Sequence, residues 1–353
     1  MRLLIVTQKV DKNDDILGFF HGWIIEFAKY CESVIVICLQ KGEYDLPANV
    51  RVLSLGKEEG GFWLKYSWRF YKYIWSERKN YDTVFVHMNA EYVILGGLDW
   101  KIMGKKISLW YTHKAISWKL FLAERLTDII FTASPESFRL RSRKVKVLGH
   151  GIDIERFNPQ NQVSGNLREQ GLNIITIGRI SPIKDYETLI EAVEILLKKG
   201  IDLNLKIVGA APIKEQEKYL ASLKAMVKEK NLGEQVLFLG SMPNNQIEQH
   251  LLSSDIFVHA SHTGSLDKAI LEAMACELPV LSCNESLAEV FGAYKNKLMF
   301  NKKDAGDLAK KLEDIIGISE SEKKELGRNL RQIVALHHNL KDLIGKKIKE
   351  LNG

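Results

Sequence analysis

Twelve short runs of apolar, largely β-branched residues recur along the chain, separated by turns and by segments with helical spacing. Seven occupy residues 3–7, 33–39, 50–55, 83–87, 107–112, 129–133 and 145–148, and five more occupy 174–177, 203–208, 235–239, 255–259 and 280–283. Runs that are apolar almost throughout, rather than alternating, belong to strands buried on both faces, and strands joined through helices pair in parallel. The expectation is an α/β chain of two Rossmann-like domains whose parallel sheets face each other across a cleft. The break falls within residues 158–171, NPQNQVSGNLREQG, which are polar and rich in turn formers. That places an N-terminal domain at 1–160 and a C-terminal domain at 161–336.

At 353 residues the chain is long enough for two separate cores, and 46% hydrophobic with 27% charged residues excludes disordered and fibrous classes. No apolar run reaches transmembrane length, and Met1 leads directly into the strand-like LLIVT, which does not read as a secretory leader. A cytoplasmic protein is expected. Cys31, Cys38, Cys276 and Cys283 have no CxxC spacing and no neighbouring zinc pattern, and each sits in an apolar element, so they read as reduced core thiols. Residues 1–160 hold 24 Lys and Arg against 18 Asp and Glu, a difference equal to the net charge of +6, while the rest of the chain holds 26 of each. Such asymmetry marks a surface that meets phosphate, anionic lipid or an acidic polymer.

The stretch with most chemistry is 259–289. Residues 255–259 read as a buried strand, 261–265 as a turn-rich loop, 266–276 as a helix and 279–283 as the next strand. A loop between a strand's carboxyl end and a helix N-terminus offers free N–H groups and the positive end of a dipole to an anion, and a diphosphate fits there. The order GSLDKAILEAMACELPV resembles the donor-binding signature of the retaining glycosyltransferases of the GT-B fold, family 4. In that family two Glu residues bracket the helix entry, and the second, here Glu272, binds the nucleotide ribose. The first falls on Gly264. That Glu contacts the donor sugar in the family, so its role passes to a neighbour, with the side chains of His262, Thr263, Ser265 and Asp267 and the backbone of Ser265 and Leu266 at hand. The structural alternative for Glu272 is a solvated helix carboxylate, but Leu271, Ala273 and Met274 flank it, and an unpaired charge among such neighbours is costly.

Residues 178–191, GRISPIKDYETLIE, resemble the family's Gly-Arg-x4-Lys segment, which puts Arg179 and Lys184 on the donor diphosphate. A guanidinium forks onto phosphate oxygens, and an ammonium supplies a compact charge. Gly209, in IVGA, matches the family's strand-end glycine. Gly18 stands where the family has a glycine-rich turn near the phosphates; no GxGxxG is present, which removes the main support for a dinucleotide oxidoreductase. His87 and His113 end strands and are expected at the cleft edge, and His113 matches the family's histidine beside the sugar and acceptor. A hydrogen-bonded strand-end histidine is the alternative. Pro135 follows Ser134 in the order that opens a helix. In GT-B proteins the terminal helix crosses back to the first domain, which assigns 337–353.

Residues 61–79, GFWLKYSWRFYKYIWSERK, interleave Trp, Phe and Tyr with Lys65, Arg69, Lys72, Arg78 and Lys79 at helical spacing, a composition suited to an anionic membrane surface. A core helix with a solvated basic face is the plain alternative. Stacking on bases is a third reading, and no nucleic acid is expected. Taken together, the resemblance implies a retaining glycosyltransferase that moves a sugar from a nucleotide-diphosphate sugar to a glycan or lipid-linked acceptor. It implies no cofactor and no metal, with Arg179, Lys184 and helix N–H groups stabilising the departing diphosphate. A nucleotide-sugar epimerase of the same fold and a binding module without turnover stay open as alternatives.

Overall fold

The computed structural model describes residues 1–161, 163, 167–262 and 266–353. The chain forms two compact units, one of Met1–Gly151, Pro243–Asn245 and His337–Gly353, the other of Ile152–Met242 and Gln246–Leu336. Ile152 and Phe157, both buried, pack into the core of the second unit.

The first unit is built on a seven-stranded parallel sheet of β1 (Arg2–Val10), β2 (Ser33–Lys41), β3 (Val50–Ser54), β4 (Thr83–His87), β5 (Lys106–Trp110), β6 (Ile129–Thr132) and β7 (Val145–Val147). Their order is β3-β2-β1-β4-β5-β6-β7. Apolar side chains on both faces explain why these runs do not alternate: Leu3 and Ile5 enter one cluster, Leu4 and Val6 the other. Cys31 and Cys38 are buried, and burial pushes their thiols up, to about 11 and about 12. Pro135–Ser137 forms only a single 3-10 turn where a helix is expected, because Phe138 leaves it in extended conformation.

The terminal helix Leu340–Asn352 belongs to this unit, packed on the helix Gly18–Tyr30. A break at His338 and Asn339 separates it from the helix Glu320–His337, and the Asn339 side chain caps it by accepting from the Lys341 amide. Its buried stripe runs Leu340, Leu343, Ile344, Lys347, Ile348, Leu351, so helical spacing forces a lysine into the core. Lys347 Nζ lies 3.8 Å from the ring centroids of both Trp23 and Trp110 and 4.9 Å from that of Phe85, with no hydrogen-bond partner among the described residues. Burial drives its ammonium well below the ordinary lysine range.

The second unit carries a five-stranded parallel sheet, β8 (Leu172–Ile177), β9 (Leu203–Val208), β10 (Val236–Gly240), β11 (Ile256–His259) and β12 (Val280–Ser282), in the order β10-β9-β8-β11-β12. The chain winds outward from β8 to β9 and β10, then returns to the other side of β8 at β11. Ligands of open α/β sheets bind at the carboxyl ends of strands where the order reverses, here β8 and β11. Among the described residues no helix is long and apolar enough to cross a membrane.

Candidate functional site

The carboxyl ends of β8 and β9 are held unusually close. Gly178, after β8, donates its N–H to Val208 O at 2.9 Å, and the Ile180 amide donates to Ala210 O at 2.8 Å. A Cβ on Gly209, at φ 157°, would stand 1.9 Å from Gly178 O, so only glycine lets the two strand ends approach. This fixes the start of the turn that carries Arg179 and Lys184. Tyr186 locks its other end by donating its hydroxyl to Gly178 O at 2.7 Å, while Asp185 turns the chain at φ 49°, ψ 56° into the helix Tyr186–Lys198. Arg179 is exposed, and its guanidinium has no partner among the described residues.

From the other side of the reversal, β11 delivers His259. The residue is buried, with Nε2 2.6 Å from Asp267 Oδ2 and Nδ1 3.4 Å from Ser282 Oγ. Lys184 Nζ donates to the same Asp267 oxygen and lies 3.4 Å from His259 Nε2. Burial works to raise the Asp267 carboxyl, but the His259 hydrogen bond and the Lys184 charge outweigh it and hold it well below the usual carboxylate range. Burial pushes His259 down, only partly offset by Asp267. The two sides are also tied through His262, whose amide donates to Ile183 O at 3.0 Å and whose Nε2 meets Asp185 Oδ2 at 2.9 Å.

Asp267 precedes the helix rather than lying in its first turn. It is the N-cap of Lys268–Ala275, extended at φ −80°, ψ 134°, and makes no side-chain cap bond because its carboxylate turns back to Lys184 and His259. Leu266 is buried beside it. Gly264 and Ser265, like Thr263, lie outside the described residues. Glu272, one turn into the helix, is buried and accepts from Lys268 Nζ at 2.7 Å, so it is no solvated carboxylate. Burial lowers the Lys268 ammonium even beside Glu272.

The structure thus gathers Arg179, Lys184, Gly209, Leu266, Asp267 and Glu272 in the second unit and leaves Gly18 and His113 in the first. Gly18 opens the helix Gly18–Tyr30, where an added Cβ would meet Lys12 O at 3.1 Å. His113 is exposed after β5, edge-on to Tyr111. His87 is not at an edge: it is buried, stacked on Phe20 with centroids 3.9 Å apart, and Thr7 Oγ1 is 3.3 Å from its Nδ1. Sequence reasoning missed His259, which only the fold brings to Lys184. It also missed the Lys268 partner of Glu272, although the i,i+4 spacing carries that signal. Among the described residues no group of three or more His, Cys, Asp or Glu side chains is placed to hold a metal ion.

The first unit exposes a separate apolar ridge. The predicted amphipathic segment forms the helix Trp63–Ser76, and Phe62, Trp63, Leu64 and Trp68 are 77%, 71%, 60% and 62% exposed. Lys72 Nζ stands over the Trp68 ring at 5.0 Å, whereas Arg69 is engaged by Glu59.

Comparison with known proteins covers the second unit in sequence and the whole chain in fold. Residues 158–332 match the family Glycosyl transferases group 1. A GDP-mannose-dependent alpha-(1-6)-phosphatidylinositol monomannoside mannosyltransferase of Mycolicibacterium smegmatis is 29% identical over 153 residues, 40% of this chain and 38% of that protein. The amylovoran biosynthesis glycosyltransferase AmsK of Erwinia amylovora is 29% identical over 151 residues, 41% and 35% of the two chains. The match spans about two fifths or less of the length of these curated relatives. In fold, the crystal structure of Anabaena HepE in complex with UDP superposes with a TM-score of 0.78 at 19% identity, covering 100% of both chains. Sucrose-phosphate synthase from Thermosynechococcus elongatus gives 0.76 at 16% identity over 99% of both.

Proposed function

Because the chain belongs, through residues 158–332, to the glycosyl transferases group 1 family and has the GT-B fold, we propose that it is a retaining glycosyltransferase. It moves a sugar from a nucleotide-diphosphate sugar to a glycan or lipid-linked acceptor. The observation that carries this reading is the contact of Lys184 with Asp267 at the entry of the helix Lys268–Ala275, on the same turn as the exposed Arg179, at the strand-order reversal of the second unit. Two cations on the turn beside the positive end of a helix dipole suit the two phosphates of a departing nucleoside diphosphate, whose charge grows as the glycosidic bond breaks. The fold neighbour crystallised with UDP supports a nucleotide-bearing donor.

In this reading Arg179 forks onto the phosphate oxygens and Lys184 neutralises the leaving group, so the protein needs no metal for that task. Glu272, held by Lys268, takes the ribose hydroxyls as a hydrogen-bond acceptor. Gly209 lets the strand end approach the donor, and Leu266 and Asp267 are the described residues assigned to its sugar. The acceptor hydroxyl attacks from the face the diphosphate leaves, forming the new C–O bond as the old one breaks, and its proton passes to the departing phosphate oxygen.

The ridge at 62–68 and its lysines fit a cytoplasmic enzyme resting on an anionic membrane that presents a lipid-linked acceptor, with indoles at headgroup depth. A panel of nucleotide sugars, scored for binding and for release of the nucleoside diphosphate with and without acceptor, tests the transferase reading. At least one donor is expected to bind and turn over; a panel in which none binds overturns it.

A further inference from the structure

Lys184, Asp267 and His259 share a single oxygen, and the protons around it are constrained. A contact of 2.6 Å between His259 Nε2 and Asp267 Oδ2 requires a proton on Nε2, since a bare nitrogen lone pair and a carboxylate repel at that distance. On the other side of the ring, Ser282 Oγ donates to His259 O at 2.9 Å and accepts from the Asn284 amide at 3.1 Å. With its hydrogen directed to His259 O, the hydroxyl turns a lone pair toward Nδ1, 3.4 Å away. The neutral ring therefore presents an unprotonated Nδ1 to an oxygen lone pair, and a second proton there would gain a partner. Burial opposes that proton, and so does the Lys184 ammonium 3.4 Å from the ring.

We infer that binding of a nucleoside diphosphate at Lys184 is coupled, through Asp267, to uptake of a proton by His259. This rests on the reading of Lys184 as a diphosphate ligand. An anion that draws Lys184 from Asp267 removes the cation opposing protonation and leaves the buried carboxylate with His259 as its partner. The imidazolium then restores the balance, with Nε2–H on Asp267 and Nδ1–H on Ser282. The charged groups facing the ring are Lys184 from the turn after β8 and Asp267 from the helix entry; β12 offers the Ser282 hydroxyl, and the nearby Tyr186 phenol is bonded to Gly178 O. His259 acts here as a positioning residue, keeping Asp267 fixed when Lys184 turns to the ligand.

The test is titration calorimetry of the full chain with UDP and with GDP, at pH 8 in HEPES and in Tris, whose ionisation heats differ. The wild type is expected to take up as much as one proton per nucleotide bound, and its affinity to fall as much as tenfold per pH unit through the linked range. His259→Gln, which keeps a donor to Asp267, is expected to bind with that uptake and that pH dependence lost. Wild-type binding with no more uptake than His259→Gln overturns the coupling alone. Should the variant not fold, ring nitrogen shifts of ¹⁵N-histidine-labelled wild type decide: His259 must become doubly protonated on adding the nucleotide, and unchanged shifts overturn the inference. Absence of binding by both nucleotides overturns the diphosphate reading itself, and the coupling with it.

Discussion

Replacing Lys347 by Met should stabilise the first unit near neutral pH and remove a pH dependence that the wild type must show. The side chain is fully buried against Trp23, Trp110 and Phe85, and its Nζ has no hydrogen-bond partner among the described residues. Taking an ammonium out of water costs several kcal/mol, of which a desolvated indole face returns about 2 kcal/mol, and with no hydrogen-bond partner at Nζ burial lowers the folded-state pKa. The unfolded chain titrates this lysine near about 10.4. Between the two values the unfolded state holds one more proton than the folded state, so stability rises with pH by up to about 1.4 kcal/mol per unit. From pH 7 to pH 9 that amounts to as much as about 2.7 kcal/mol, absent in Lys347→Met. Urea unfolding at pH 7, 8 and 9 reads this cleanly, because all seven tryptophans lie within residues 1–151 and report on the first unit alone. The variant should be the more stable at pH 7, by roughly 1–4 kcal/mol, with the gap closing as pH rises. Parallel pH profiles, or a variant less stable at every pH, would refute the reasoning.

Arg179→Ala should lower turnover by orders of magnitude at unchanged thermal stability, Lys184→Ala should lower it as far with some loss of stability because Asp267 loses its cationic partner, and near-normal rates in both would remove the proposed diphosphate site. Gly209→Ala should destabilise the second unit by about 1–3 kcal/mol or more, because its Cβ meets a backbone oxygen that no side-chain rotation can clear; a thermal scan showing no loss contradicts that packing. Vesicles rich in anionic lipid should bind the protein with an affinity that falls as salt rises, and Trp63→Ser with Trp68→Ser should weaken binding at every salt concentration. Equal binding to neutral and anionic vesicles would rule out the electrostatic contribution.

The strands were legible because sheets buried on both faces leave uninterrupted apolar runs, and seven and five strands form where such runs occur. The turn after β8 was legible through its resemblance to the Gly-Arg-x4-Lys segment, whereas the close approach that requires glycine at 209 shows only when the strand ends are paired. Less legible was anything set by long-range packing. Asp267 read as a first-turn carboxylate, since nothing local shows that His259 and Lys184, the latter 83 residues away, draw it out of the helix. Nothing local singles out Lys347, whose aromatic surroundings come from β4, β5 and the first helix, more than 200 residues earlier. His87 ended its strand as expected, but Phe20 covers it.

Photolabelling with azido-UDP and azido-GDP, competed by the unlabelled nucleotide and mapped by peptide sequencing, tests the placement of the donor most directly. Competable label is expected on peptides covering 172–184, 207–214 and 256–289, with loss of label in Arg179→Ala. Competable label confined to residues 1–151, or undiminished in that variant, would contradict a donor held by the second unit.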